Sequence, residues 1–178
     1  MKRTPLTWST SVLVMLFATA AVAQENAILK GDYGLTGAVV CNLASGAVLI
    51  ATTNGIVTFH GDGTGTASLM DQTSIAGAIG SAAADKVVDT FTYTVNEDGS
   101  WTRTIDPGSF KGTIVTGPAA GLTFSVDQLS ATTGFVGVNA KTLTAVTNEA
   151  IVETITRSDG TVGHRICQRS QTLIKRPS

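Results

Sequence analysis

The chain has 178 residues, with 12 Lys and Arg against 13 Asp and Glu and a formal net charge of −1. Neither sign of charge forms a block, so the sequence predicts neither nucleic acid nor an anionic membrane surface as a partner. Aromatic residues make up 6% of the chain and 19 residues are glycine, a composition typical of strands joined by tight turns rather than of helices.

The first residues have the pattern of a secretory signal peptide. A charged start at Lys2 is followed by an apolar run over residues 12–18 and by small residues that end at Ala23. This order predicts export with cleavage after Ala23. The apolar run is too short to span a bilayer, which needs about 20 apolar residues. We therefore expect a signal peptide over residues 1–23 and one periplasmic or secreted domain over residues 24–178.

The two cysteines, Cys41 and Cys167, lie near the two ends of this domain. Export into an oxidising compartment and an even count of cysteines predict a disulfide bond between them. Two buried free thiols are the alternative. A metal site is not expected, because neither cysteine has a second cysteine or a histidine at ligand spacing. A bond would bring the first strand beside the last, which favours a closed barrel.

Three turns containing Asp-Gly interrupt an alternation of apolar and polar residues, at residues 61–63, 97–99 and 158–160. Each is predicted to be a hairpin turn in which glycine takes a positive φ. At the second turn, a three-residue loop places Tyr93 opposite Arg103 and keeps Trp101 on the same face. A two-residue loop would divide these large side chains between two faces. The same loop length at the third turn pairs Glu153 with Arg165.

Further strands are predicted from the same alternation. They cover residues 33–41, 112–116, 122–126, 142–146, 150–157 and 161–173. The chain is therefore expected to be all-β, with roughly eight to ten antiparallel strands in an up-and-down barrel, and with a β-sandwich as the alternative. Residues 75–84 break the strand pattern and are expected to form a loop or a short helix.

A family resemblance rests on two places in the sequence. Gly31-Asp32-Tyr33 leads into the first strand, and Arg165 and Arg169 lie on the last. This pattern resembles the lipocalin and wider calycin families, in which Gly-x-Trp opens the first strand and an arginine of the last strand packs across the aromatic ring. Here tyrosine stands in place of tryptophan. The resemblance implies a calycin-like barrel with a cup for a small ligand, and it identifies no particular ligand.

Continuing the alternation of side chains gives a candidate binding site inside the barrel. The residues expected to line it are Tyr33, Tyr93, Trp101, Arg103, Glu153 and Arg165. Apolar walls with a few directed polar groups are typical of small-molecule sites. Two alternatives remain at this point. Glu153 and Arg165 could pair near a rim with no role in binding, or this face could point outward while Val152, Val162 and Ile166 fill the core.

Two functions are compatible with this pattern. The first is an exported soluble barrel that binds a small apolar or amphipathic ligand in its lumen. The second is a structural or protein-interaction component of the cell envelope, whose barrel is filled by side chains. An enzyme ranks third, because His60 and His164 have no neighbouring nucleophile motif and the carboxylates lie at turns. No catalytic residue, metal ligand or cofactor is predicted. The expected partners are a small molecule or an envelope protein, without stable membrane insertion, because the second strand faces carry threonine, serine and charge.

Overall fold

The computed structural model describes residues 25–177, which form an all-β antiparallel structure, as the sequence predicts. The expected signal peptide, residues 1–23, lies outside the described residues. The strands are β1 (Lys30–Leu43), β2 (Val48–His60), β3 (Thr64–Ile75), β4 (Ala83–Val95), β5 (Ser100–Ile105), β6 (Lys111–Thr116), β7 (Thr123–Val126), β8 (Thr132–Val136), β9 (Thr142–Thr147), β10 (Val152–Arg157) and β11 (Val162–Lys175). A short 3₁₀ helix, Val138–Ala140, connects β8 to β9.

These strands form a single sheet that closes on itself, with β1 paired to β2 on one side and to β11 on the other. From β1 to β5 each strand pairs with the next in sequence. Between β4 and β11 the sheet then divides into two branches. The first branch runs through β5, β8 and β9, and the second runs through β6, β7 and β10.

Strand length explains why the order is not strictly sequential. β4 has 13 residues and β11 has 14, whereas the branch strands have only 4 to 6. Each long strand can therefore pair with two short strands placed end to end. Residues 84–88 of β4 pair with β6 and residues 91–95 pair with β5. On β11, residues 162–166 pair with β10 and residues 170–174 pair with β9.

The three hairpin turns have the loop length that the side-chain alternation predicts. In the second turn, the Asp98 Oδ1 atom accepts a hydrogen bond from the Ser100 backbone N–H at 2.9 Å, and Gly99 has a φ of 77°. The same aspartate-to-backbone bond occurs in the other two turns. The resulting registers place Tyr93 opposite Arg103. These local bonds fix which residues face inward along each hairpin.

The core at one end of the barrel is an aromatic cluster around Phe59. The Phe59 ring makes edge-to-face contacts with Tyr33, Phe91, Tyr93 and Trp101, at centroid distances from 4.9 to 5.9 Å. Such contacts add to the stabilisation that burial of the rings provides. The segment before β1 covers this end of the barrel, because the backbone carbonyls of Asn26 and Leu29 accept hydrogen bonds from the Tyr93 hydroxyl.

The other end of the barrel contains the predicted disulfide bond between Cys41 and Cys167, and both residues are fully buried. The bond is compatible with an oxidising compartment. Val39 and Ala51 pack beside it in a second, smaller apolar cluster. Between residues 25 and 177 there is no helix with the length and apolar character needed to cross a membrane.

Candidate functional site

The barrel interior contains a cavity of about 60 Å³ between the aromatic cluster and the disulfide end. Its walls are mixed in character. The apolar lining residues are Val39, Leu49, Ala51, Leu69, Ile105, Phe110, Phe124 and Leu129, and the polar or charged ones are Thr53, Asp71, Thr73, Asp85, Asp89, Arg103, Ser130, Thr132, Arg165, Arg169 and Gln171. The cavity therefore has an apolar boundary at each end and charged groups between them.

The division of the sheet explains why the cavity lies at this level. The pairing of β4 passes from β6 to β5 across Asp89 and Thr90, and the pairing of β11 passes from β10 to β9 across residues 167–169. Asp89 and Arg169 therefore lie where the ladder changes partner on their strands. Both side chains line the cavity. The charged lumen thus coincides with the boundary between the two branches.

Arg103 and Asp89 form a buried ion pair in this lumen. The Arg103 Nη2 atom lies 2.6 Å from Asp89 Oδ1, and both side chains are at least 95% buried. The Arg103 guanidinium also lies over the Phe91 ring, 4.3 Å from its centroid. Burial raises the pKa of Asp89 and outweighs the opposing effect of Arg103. Arg103 thus connects the charged lumen to the aromatic cluster.

Glu153 binds two arginines at once. Its Oε2 atom accepts a hydrogen bond from Arg165 Nε at 2.9 Å, and its Oε1 atom lies 2.5 Å from Arg169 Nη2. The Glu153 side chain is fully buried. Burial lowers the pKa of Arg169 from its ordinary value, while Glu153 opposes this shift. One carboxylate and two guanidinium groups leave this part of the barrel with an excess of one positive charge.

Asp71 and Asp85 form an acidic pair across from these arginines. They are opposite one another in the register between β3 and β4. Thr53 donates a hydrogen bond to Asp71 Oδ1 at 2.6 Å. Burial raises the pKa of both carboxyl groups, and the charge of Asp71 further raises the pKa of Asp85. Like charges directly opposite on a sheet are unfavourable, so ionising both carboxyl groups at once carries an energetic cost.

The lining side chains also contain buried polar atoms without a hydrogen-bond partner among the described residues. There are seven such atoms: Asp85 Oδ1, Asp89 Oδ2, Arg103 Nε, Ser130 Oγ, Thr132 Oγ1, Arg169 Nη1 and Gln171 Oε1. They include both donors and acceptors. Buried polar groups in native proteins almost always have partners, so this cluster marks the cavity as a place for a polar occupant.

The six residues that the sequence predicts for the site fall into two groups in the structure. Arg103 and Arg165 line the cavity, and Glu153 orients Arg165. Tyr33, Tyr93 and Trp101 do not line it. They belong to the aromatic cluster, and each donates a hydrogen bond to a backbone carbonyl: Tyr33 to Ala140, Tyr93 to Asn26 and Leu29, and Trp101 to Thr144.

The orientation of the last hairpin is settled by the exposure of its apolar residues. Val152, Val162 and Ile166 are 57%, 55% and 37% exposed. The alternative in which these residues fill the core is therefore wrong. Glu153, Arg165 and Cys167 occupy the inward face, and the ion pair joins a fully buried Glu153 to an Arg165 side chain that is 14% exposed.

The acidic lining residues and Gln171 are not among the residues that the sequence predicts for the site, although the alternation of side chains indicates the acidic ones. Leu69 and Phe91 are buried on the inward faces of β3 and β4, and counting in steps of two from them reaches Asp71, Asp89 and Asp85. These aspartates lie inside strands, where aspartate is uncommon. Within residues 25–177, no group of three or more His, Cys, Asp or Glu could hold a metal ion.

No protein-family model and no curated protein matches this sequence. Among solved structures, the chain is similar to the S-type phycobiliprotein lyase CPES from Guillardia theta, with 7% identity and a TM-score of 0.32. The alignment covers 92% of this chain and 97% of that chain. A similarity at this level says nothing about the ligand or activity of the present protein. The description of its fold rests on its own strand pairing.

Proposed function

We propose that this protein is an exported β-barrel that binds a small polar molecule in its lumen. Export is supported by the leader pattern over residues 1–23 and by a disulfide that suits an oxidising compartment. The observation that carries the binding proposal is the charged cavity, whose lining includes seven buried polar atoms without a partner in residues 25–177.

A lumen filled by apolar side chains would be energetically more favourable than this charged one. Buried ion pairs are commonly neutral or unfavourable relative to well-packed hydrophobic residues of similar volume. Unpaired buried polar atoms add a further cost of about 1–3 kcal/mol each. A barrel that served only as a rigid body would be more stable with an apolar filling. Strained electrostatics of this kind are typical of functional sites, and a bound polar molecule would supply the missing hydrogen-bond partners.

The size and lining of the cavity favour a different ligand from the one that the sequence suggests. The sequence predicts an apolar or amphipathic ligand, because apolar walls that include Tyr33, Tyr93 and Trp101 are expected to carry a few directed polar groups. These rings pack in the aromatic cluster, and the walls of the cavity carry charged groups between its apolar ends. Drug-sized ligands occupy pockets of about 300–1,000 Å³, whereas this cavity measures about 60 Å³. We therefore propose a polar ligand of only a few heavy atoms.

Native mass spectrometry of the protein purified from its own cell envelope tests this function. We expect an added mass that is present in the native spectrum and absent after denaturation. Arg169→Met should lose the added mass, because it removes a donor from the cavity lining. Arg176→Met, which changes an exposed arginine, is the matched control and should retain it. A native mass equal to that of the bare chain, even after incubation with an extract of small metabolites, would count against ligand binding.

A second candidate function is a structural or interaction role in the cell envelope. One observation favours it. A row of exposed apolar residues crosses four neighbouring strands on the outer face, where Val152 lies opposite Ile166 and Val40 lies opposite Ile50. Exposed apolar surface can mark a protein interface. In the same native spectra, a multiple of the chain mass or a second protein would support this role, provided that Ile50→Ser abolishes it.

A further inference from the structure

The charges of the lumen are divided between two walls. Arg165 and Arg169 lie on β11, whereas Asp71 and Asp85 lie on β3 and β4. In the closed sheet, β1 and β2 separate β11 from β3. These residues nevertheless line one cavity, so they face a common space from different sides. Burial raises the pKa of Asp71, and the positive charges of Arg165 and Arg169 oppose this shift.

Each wall also has a polar atom that can form one more hydrogen bond, a donor on the arginine wall and an acceptor on the acidic wall. Arg169 Nη1 is a donor without a partner in the described part of the chain, and Asp85 Oδ1 is an acceptor in the same situation. Glu153 occupies only one edge of each guanidinium group. The arginine wall can therefore accept a further anionic group, while the acidic wall can accept a hydrogen-bond donor that carries positive charge.

A ligand with a single charge would satisfy only one of the two walls. An isolated anion would satisfy the arginine donors but leave the carboxylates of Asp71 and Asp85 facing each other. An isolated ammonium ion would do the reverse. A metal ion is disfavoured because residues 25–177 contain no set of three suitable ligands. Only a molecule with both charges would use both walls together.

The cavity volume limits the length of such a molecule. About 10–15 Å³ of accessible volume is needed for each water-sized group, so 60 Å³ holds roughly four to six groups of that size. This is enough for a carboxylate and an ammonium group joined by one or two carbon atoms. A long side chain would collide with the apolar residues at either end of the cavity.

Building on the proposed ligand-binding function, we infer that the occupant is a small zwitterion, of the size of glycine or alanine, bound with its carboxylate toward Arg169 and its ammonium group toward Asp85. The arginine wall on β11 and the acidic wall on β3 and β4 set this orientation. The apolar residues at the two ends of the cavity limit the ligand to a short chain.

Isothermal titration calorimetry of the disulfide-bonded protein with four probes tests the inference. Glycine and alanine carry both charges, acetate carries only the carboxylate, and methylammonium carries only the positive charge. We expect saturable binding of glycine or alanine, with acetate and methylammonium at least tenfold weaker, because each lacks one charge-assisted hydrogen bond. Leucine should also bind more weakly than glycine or alanine, since its side chain is too large for the cavity.

Two pairs of variants assign the binding to the walls. Asp85→Asn and Arg169→Met should each weaken binding of the zwitterion by roughly tenfold or more. The exposed residues Asp127 and Arg176 provide the controls Asp127→Asn and Arg176→Met, which should bind as the original chain does. Asp85→Asn keeps the side-chain shape, so it remains informative if Arg169→Met fails to fold.

The possible outcomes separate this inference from the proposed function. Equal binding of acetate and glycine would overturn the zwitterion while leaving a polar ligand site in place. Binding that is unaffected by Asp85→Asn would overturn the assigned orientation. If none of the four probes binds while native spectra still show an added mass, the zwitterion class is wrong and ligand binding stands. If both experiments are negative, both proposals are wrong.

Discussion

Cys41 of the first strand lies directly opposite Cys167 of the last strand, and the bond between them crosses the line along which the barrel closes. The two residues are 126 positions apart in sequence. The closing pair of strands, β1 and β11, comprises the two longest in the sheet. Closure therefore depends both on an extended hydrogen-bond ladder and on one covalent link at the end of the barrel opposite the aromatic cluster.

Replacing both cysteines by alanine should lower the free energy of unfolding by up to about 4–5 kcal/mol, because the loop that the bond closes in the unfolded chain is longer than 100 residues. Urea unfolding of the double variant and of the original protein measures the difference. Original protein treated with a reductant under the same conditions should match the double variant. An unchanged midpoint would show that the ladder between β1 and β11 closes the barrel without help from the bond.

The second Asp-Gly turn allows a comparison of two neighbouring substitutions. Gly99 has a φ of 77°, and the nearest atom to an added Cβ would be 3.9 Å away. Space is therefore available, and the cost of Gly99→Val is conformational, about 1–2 kcal/mol or more for a branched side chain. Asp98→Ser should cost less, because serine can still accept the hydrogen bond from the Ser100 N–H. Equal losses of stability in urea would contradict this description of the turn.

Local chemistry explains why these turns and faces could be predicted from the sequence. An Asp-Gly pair fixes the loop length, and the period of two along each strand then determines which residues point inward. For this reason the registers of Arg103 with Tyr93 and of Glu153 with Arg165 are predictable. Both depend on residues close together in the chain.

The division of the sheet depends on contacts between distant residues, and Arg103 pairs with Asp89 although its register partner on β4 is Tyr93. Nothing near β4 in sequence indicates that it pairs with β6 as well as β5, since this depends on the lengths of all the strands together. Arg103 pairs with Asp89, 14 residues earlier, and aspartates were interpreted as turn residues. The presence of charge in the lumen and the pairing of Glu153 with Arg165 were therefore predictable, whereas the pairing of Arg103 with Asp89 and the second contact of Glu153 with Arg169 were not.

Stability should depend on pH through Asp85. Burial and the neighbouring Asp71 raise the pKa of its carboxyl group. Between the ordinary aspartate pKa of about 3.9 and the raised value, the folded protein binds more protons than the unfolded chain. Stability therefore falls as pH rises through this window, and the ionised carboxylate remains unfavourable at neutral pH.

Asp85→Asn should consequently raise the urea midpoint of the ligand-free protein at pH 7, and the gain should disappear as pH falls below about 4. Asp127→Asn, at an exposed position, serves as the control. A variant that gains stability while losing ligand would fit a binding site that is maintained at a cost to folding. A gain that is the same at every pH would show that charge is not its cause.

The effects of substituting Arg103 and Asp89 on the free energy of unfolding should depend strongly on each other. Arg103→Met leaves the Asp89 carboxylate buried without its cation, which should cost about 3–5 kcal/mol. Adding Asp89→Leu removes the uncompensated charge, so the double variant should recover most of the stability despite having two changes in the lumen. Urea unfolding of the original chain, both single variants and the double variant completes the cycle. Additive losses would mean that the two side chains act independently, and the 2.6 Å contact between them would then make no net contribution to folding.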